Sequence, residues 1–389
     1  MGKMLGYCTN VHAGANLAEM RSNLATHAVA VRRLFSPDEP MGIGLWFSAK
    51  SAEQLVNDKQ VDEFRQWLDE YQLVPFTLNG FPYGDFHQKQ VKHAVYLPTW
   101  ESQERLAYTL LLTDILDQLL PAGRKGSIST LPIAWEMKSA NQAADNLVAV
   151  ACQLHRLREN KGRHIQVCIE PEPGCAFQYS SDVVRFFNQD IDAAVERARA
   201  GESFAVRDYL TVCHDTCHAS VMFEPQADAI AAYRDAGISI GKVQISAAIE
   251  IPFVEMDSNS RQQSVEQLDG FAEDRYLHQT VCRDEDTGAT RFFEDLPLAL
   301  ADARTEGLND RETWRVHFHV PLFLREFGQL RSTQDETREC CNLLAGDGSV
   351  TDFEVETYAW GVLPKPLQAG NLAEGISREM DWARKLILV

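Results

Sequence analysis

Long apolar runs are missing from this 389-residue chain. No uncharged stretch approaches the roughly eighteen residues that cross a bilayer, so no membrane insertion is expected. The opening Met1-Gly2-Lys3-Met4-Leu5 lacks the apolar core of a signal peptide and runs straight into strand-like sequence. Basic residues are scarce as well. Lys and Arg number 37 against 56 Asp and Glu, a formal net charge of −19, with no basic block. Binding to a phosphate backbone depends on Lys and Arg, so nucleic acid is not an expected partner. Internal repeats and low-complexity tracts are absent. The nine cysteines have no regular spacing, and neither Cys213-x3-Cys217 nor Cys340-Cys341 has a second pair at zinc-finger distance. They read as reduced thiols in a cytoplasmic protein.

What is present is a rhythm. Short β-branched or aromatic runs alternate with longer runs of helical period, the mark of parallel βα units. Strands are predicted at Met4–Val11, Met41–Phe47, Val74–Leu78, Ser127–Ala134, His164–Ile169, Leu210–His214, Lys242–Ser246 and Phe353–Tyr358. Helices are predicted at Ala15–Leu34, Ala52–Tyr71, Ser102–Leu120, Ala140–Glu159, Ser181–Ala200, Pro225–Ala236, Thr337–Leu344 and Asn371–Leu386. Eight strands alternating with eight helices fit an α/β fold of the (β/α)8 TIM-barrel type, one domain over residues 1–389. Residues 249–327 break the rhythm and read as an insertion after strand seven, with no clean βα unit. Tyr276–Cys282 and Thr290–Phe293 flank Asp-Glu-Asp-Thr-Gly as a β-hairpin, and Trp314–Phe323 reads as a strand. An insertion of this size is expected to cover the C-terminal mouth of the barrel.

Barrel chemistry sits at the C-terminal ends of strands. Strand five ends in Glu170-Pro171-Glu172-Pro173, strand six in Asp215-Thr216-Cys217-His218, strand seven in Gln244-Ile245-Ser246, and strand eight in Glu354-Val355-Glu356. Carboxylates and imidazoles at one rim suit a hard or borderline divalent cation. Glu170 is also explained by a cap or a salt bridge, and Asp215 by capping the next helix. His317-x-His319 within a strand turns both rings to one face, toward a metal or toward solvent. His278 reads equally as a structural histidine of the hairpin.

The order of these residues resembles the xylose-isomerase-like barrel superfamily, which includes sugar isomerases, epimerases and class II apurinic endonucleases. The resemblance implies a metal held by Glu170, Asp215, Gln244 and Glu356. His218, His317 and His319 match the endonucleases' further metal position. Gln244 departs from the usual histidine and is a poorer zinc ligand, so manganese and magnesium join zinc as candidates. Longer phrases resemble the EboE family of metabolite traffic proteins: Cys8-Thr9-Asn10-Val11-His12, Tyr276-Leu277-His278-Gln279-Thr280, Trp314–Pro321 and Glu354-Val355-Glu356-Thr357-Tyr358. That kinship implies a metabolite biosynthesis or export pathway, with partners from the same operon.

The expected activity is metal-dependent and isomerase- or epimerase-like, on a small polyol, sugar or carbonyl compound. Glu170 and Glu356 would serve as acid and base, and His218 would orient a substrate oxygen. His278, Gln279, Trp46, Trp135 and Tyr358 are candidate substrate contacts. Metal-dependent hydrolysis of a small (phospho)ester and non-catalytic carriage of a metabolite are the alternatives.

Overall fold

The computed structural model describes residues 2–199, 204–368 and 370–388. Eight parallel strands form its centre: β1 (Met4–Tyr7), β2 (Met41–Trp46), β3 (Leu73–Asn79), β4 (Gly126–Thr130), β5 (Ile165–Ile169), β6 (Leu210–Asp215), β7 (Ile240–Ile245) and, after an insertion, β14 (Asp352–Val355). Their order is β1-β14-β7-β6-β5-β4-β3-β2, and a parallel bridge between Cys8 and Gly44 joins β1 to β2. The barrel is thereby nearly closed, with helices between its strands, as in a TIM barrel.

Several predicted boundaries move. β1 stops at Tyr7, and Thr9–Val11 forms a 3-10 turn instead of strand. The helix expected over Ala52–Tyr71 is two helices, Ala49–Asn57 and Val61–Glu70. Ser48 caps the first by accepting from Ser51 N, and Lys59 at φ 55° in the left-handed region separates the two. The first helix, Leu17–Phe35, carries a π-turn at Leu24–Ala28. The helix predicted to end at Ala200 is described to Ala198, and Ala200 itself lies outside the described residues.

The insertion has more regular structure than its sequence suggests. It contains helices Ser258–Asp269 and Leu296–Glu306. It also builds a second, antiparallel sheet from β8 (Ile249–Pro252), β9 (Thr280–Asp284), β10 (Thr290–Phe293), β11 (Glu312–Val316), β12 (Glu326–Phe327) and β13 (Leu330–Ser332). The order is β10-β9-β11-β8-β13-β12. The predicted hairpin forms: β9 pairs antiparallel with β10, and Gly288 at φ +73° completes the turn. The predicted strand Trp314–Phe323 ends early, at Val316, so His317 and His319 lie beyond the ladder. Buried Arg315, on β11, ties this sheet to the barrel. Its guanidinium donates to Ser220 O (2.7 Å) and pairs with Glu250 (2.7 Å) and Glu336 (2.5 Å).

Inside the barrel, Lys242 Nζ reaches Glu354 (2.6 Å) and Ser129 Oγ (3.1 Å). Burial works against the ammonium charge, but the Glu354 carboxylate outweighs it and holds Lys242 above its usual range. Gly44 is obligatory beside this pair, because a Cβ there would overlap Glu354 Oε1.

Candidate metal centre

Strand alternation builds the floor of the site. Lys242 and Glu354 point into the barrel, so residues two places onward, at the strand ends, also turn inward. These are Gln244 and Glu356. Cys168, whose Sγ accepts from Thr211 Oγ1 (3.1 Å), is followed in the same way by Glu170. Asp215 ends β6 in register with Gln244. Oxygens of Glu170, Asp215 and Glu356 come within 4.8 Å of one another.

Two of the three carboxylates, Asp215 and Glu356, are fixed on one side. Asp215 Oδ1 accepts from His218 N (3.0 Å) and Ser246 Oγ (2.7 Å), so this residue does cap the helix Thr216–Val221. Its Oδ2 is buried without a partner, as are Glu170 Oε2 and both amide atoms of Gln244. Glu356 Oε1 accepts from Asn10 Nδ2 (2.8 Å) and Asn79 Nδ2 (3.3 Å). Burial, then the neighbouring charges of Glu356 and Asp215, push Glu170 well above the usual carboxylate range. Glu356 rises likewise, through burial, Asp215 and Glu354. Burial would also raise Asp215, but His218, His319 and the Ser246 hydrogen bond outweigh it and bring it down.

Three imidazoles complete the cluster, and their tautomers follow from their partners. A carbonyl oxygen only accepts, so a ring nitrogen bonded to one carries the proton. His218 Nδ1 faces Pro171 O (2.9 Å) and His319 Nδ1 faces Glu356 O (3.1 Å). His317 Nδ1 faces Gln279 Oε1 (2.7 Å). Gln279 is oriented in turn because its Nε2 donates to Glu172 Oε1 (3.0 Å), Tyr96 Oη (3.0 Å) and Pro173 O (3.2 Å). All three rings therefore present Nε2 lone pairs. Those of His218 and His317 stand 3.2 Å apart, and His319 Nε2 is buried with no partner. Burial lowers His319 to about 4, and burial with the neighbouring histidines lowers His317 well below the usual imidazole range, so both are neutral at pH 7.

Potential ligand atoms also group as Glu172–His218–His317, Asp215–His218–His319 and Cys217–His317–His319, each within 4.8 Å. Lone pairs facing lone pairs, orphaned carboxylate oxygens and Nδ1–H groups held on oxygen acceptors fit divalent cations. Glu172 was not among the residues singled out from the sequence. Its signal was the second glutamate of Glu-Pro-Glu-Pro. Asn10 and Asn79 were also passed over.

Of the expected substrate contacts, Tyr358 lines the cavity above these ligands, with its ring 4.7 Å from His319. Trp46 does not line it; the indole is buried and donates to Pro82 O (3.0 Å). Nor does Trp135, which packs on Tyr96 at 5.2 Å. Gln279 is occupied by the protein groups just named. His278 is fully buried, with Nδ1 on His317 O (3.1 Å) and Nε2 on Glu273 (3.0 Å), an arrangement that supports the loop.

No protein-family profile and no curated protein matches the sequence. Solved structures match the fold. A xylose isomerase-like TIM barrel protein from Mycobacterium smegmatis, in complex with magnesium, is 11% identical. It aligns over 100% of this chain and 97% of its own, with a TM-score of 0.52. The probable 3-DHS dehydratase AsbF from Bacillus anthracis is 10% identical over 97% of each chain, with a TM-score of 0.44. An AP endonuclease, family 2, from Brucella melitensis is 15% identical over 63% of this chain and 79% of its own, with a TM-score of 0.37. The chain shares the TIM-barrel fold of the Mycobacterium smegmatis protein.

Among the described residues, no helix is long and apolar enough to cross a membrane.

Proposed function

We propose that this protein is a metal-dependent enzyme that moves a proton on a small oxygen-bearing substrate, in the manner of an isomerase or epimerase. The observation that carries the reading is the inward-facing set of potential ligand atoms: the Nε2 atoms of His218 and His317, which meet only each other, and the unpaired His319 Nε2, Glu170 Oε2, Asp215 Oδ2 and Gln244 amide. Glu170, Asp215, Gln244 and Glu356 would hold one ion, and Glu172, His218 and His317 a second, with His319 between them through Asp215. A divalent ion bound there supplies Lewis acidity, polarising a carbonyl and lowering the pKa of a neighbouring hydroxyl or water. Asn10 and Asn79 fix one oxygen of Glu356, which leaves Oε2 to take or return the proton. His218 orients a substrate oxygen. The insertion, residues 249–327, covers the mouth and contributes Tyr276, Leu277 and His317 to the cavity. EboE-like kinship and a metabolite pathway in the cytoplasm, with operon partners, belong to the same proposal.

The second ligand set favours one other reading, hydrolysis across two ions. The test starts with metal analysis of protein purified without chelators. Solvent-deuterium incorporation and ester hydrolysis are then followed over a panel of ketoses, hydroxycarbonyls and phosphate esters. Glu356→Gln should retain metal with weakened affinity and lose deuterium incorporation. Hydrolysis without exchange selects the second reading. Binding with neither reaction selects a carrier.

A further inference from the structure

The walls of the cavity differ in kind from its floor. The space, counted together with its open mouth, is about 540 Å³. Ionisable ligands close one end, while Phe81, Phe86, Val91, Val95, Leu277 and Tyr358 form much of the remainder. Lys92 is the one Lys or Arg lining it among the described residues, and its Nζ is paired with Asp295 (2.6 Å). Of the side-chain amides, Asn79 is engaged at both ends, donating to Glu356 and accepting from Phe81 N, while Asn10 donates to Glu356 and leaves only its Oδ1 buried without a partner. A polyhydroxylated sugar would have to press several hydroxyls against hydrocarbon, each losing water without gaining a partner. A phosphate would find no unpaired Lys or Arg among the described residues that line the cavity.

We infer that the substrate is an amphipathic molecule: adjacent oxygen donors, as in a catechol or α-hydroxycarbonyl, carried on an aromatic or branched apolar body. The oxygens meet the carboxylate–imidazole floor and the body fills the Phe81–Phe86–Leu277 wall. The inference rests on the metal-dependent reading for the head of the molecule, whereas the wall stands independently of it.

Two probes separate these parts. 4-tert-Butylphenol has the body without a chelating head, and catechol has the head without the body; 4-tert-butylcatechol joins them. Binding is measured by calorimetry on manganese-loaded and chelator-treated full-length protein, with xylitol as the polyol control. 4-tert-Butylphenol is expected to bind in both states. 4-tert-Butylcatechol should bind loaded protein at least about tenfold tighter than catechol, because a tert-butyl group takes several carbons out of water. Leu277→Asp should erase that preference and leave catechol binding intact. Val95→Asp, at a half-buried position, makes the same test if Leu277→Asp does not fold. Xylitol binding as tightly as 4-tert-butylcatechol, or 4-tert-butylphenol failing to bind in either state, overturns the inference. Protein that takes no metal yet binds 4-tert-butylphenol overturns the metal-dependent reading and the assigned head, and the wall survives.

Discussion

His218 and His317 face each other through Nε2 atoms 3.2 Å apart, although each has its proton on Nδ1, turned away toward an oxygen. In the neutral rings those two lone pairs repel, and a shared proton or a shared metal ion relieves the repulsion. Gln279 sets one side of this opposition by accepting from His317 Nδ1. Gln279→Leu frees the ring to adopt the other tautomer. Metal affinity is expected to fall about 10- to 100-fold, the usual cost of losing an outer hydrogen bond to a ligating histidine. Unchanged affinity by competition with a fluorescent chelator would refute the role.

Asp215 has two duties that a substitution can separate. Asparagine keeps an oxygen to accept from His218 N and Ser246 Oγ but removes the charge. Asp215→Asn should fold with stability within about 1 kcal/mol of the parent, since the helix cap is retained. Its metal affinity should drop by more than about 100-fold, because a direct ligand exceeds an outer one in effect. Urea unfolding and metal titration read the two effects independently.

Glu379, in the C-terminal helix Leu372–Ile387, is buried away from the cavity floor and accepts from Leu322 N (3.0 Å). Burial raises its carboxyl to about 8, despite that hydrogen bond and one from Thr357. Between the ordinary carboxylate value and about 8, the folded state therefore holds a proton that the unfolded state has released. Stability attributable to this residue must fall as pH rises through that window. Glu379→Gln mimics the protonated acid. Its advantage over the parent should be absent near pH 4.5 and reach a few kcal/mol by pH 8.5, measured by denaturant melts across pH. A constant difference across pH would count against the assignment.

Gly44→Ala drives a methyl group into Glu354 Oε1 and disturbs its pairing with Lys242. Disrupting a buried ion pair costs about 3–5 kcal/mol, so the variant should lose stability on that scale or fail to accumulate folded. Thermal unfolding in the metal-free state isolates this effect from any change at the floor of the site.

The barrel was legible because its signals are local. Strand-like runs other than the seventh are followed by runs of helical period, and the period of two along β7 and β14 carries from Lys242 to Gln244 and from Glu354 to Glu356. The hairpin was legible for the same reason, through its polar turn and Gly288. Glu172 was not, because a glutamate between two prolines reads like any loop carboxylate until Gln279, 107 residues later, is brought against it. Trp46 and Trp135 misled in the opposite direction. A large aromatic near a strand end looks the same in sequence whether it packs in the core or faces a ligand. The first helix of the insertion was masked by sparse apolar residues: Ser258–Asp269 buries only Ser264 and Leu268.

The ligand set is spread along the chain from Glu170 to Glu356, with His317 and His319 supplied late in the long excursion between β7 and β14. During synthesis the floor therefore stays incomplete until the last barrel strand has left the ribosome. A chain terminated before His317 presents at most Glu170, Glu172, Asp215, His218 and Gln244, without the opposing imidazoles or the closing glutamate. On the proposed metal-dependent reading, loading is expected to follow closure of the ring, and a release assay on stalled ribosomes should see the ion taken up only by finished chains.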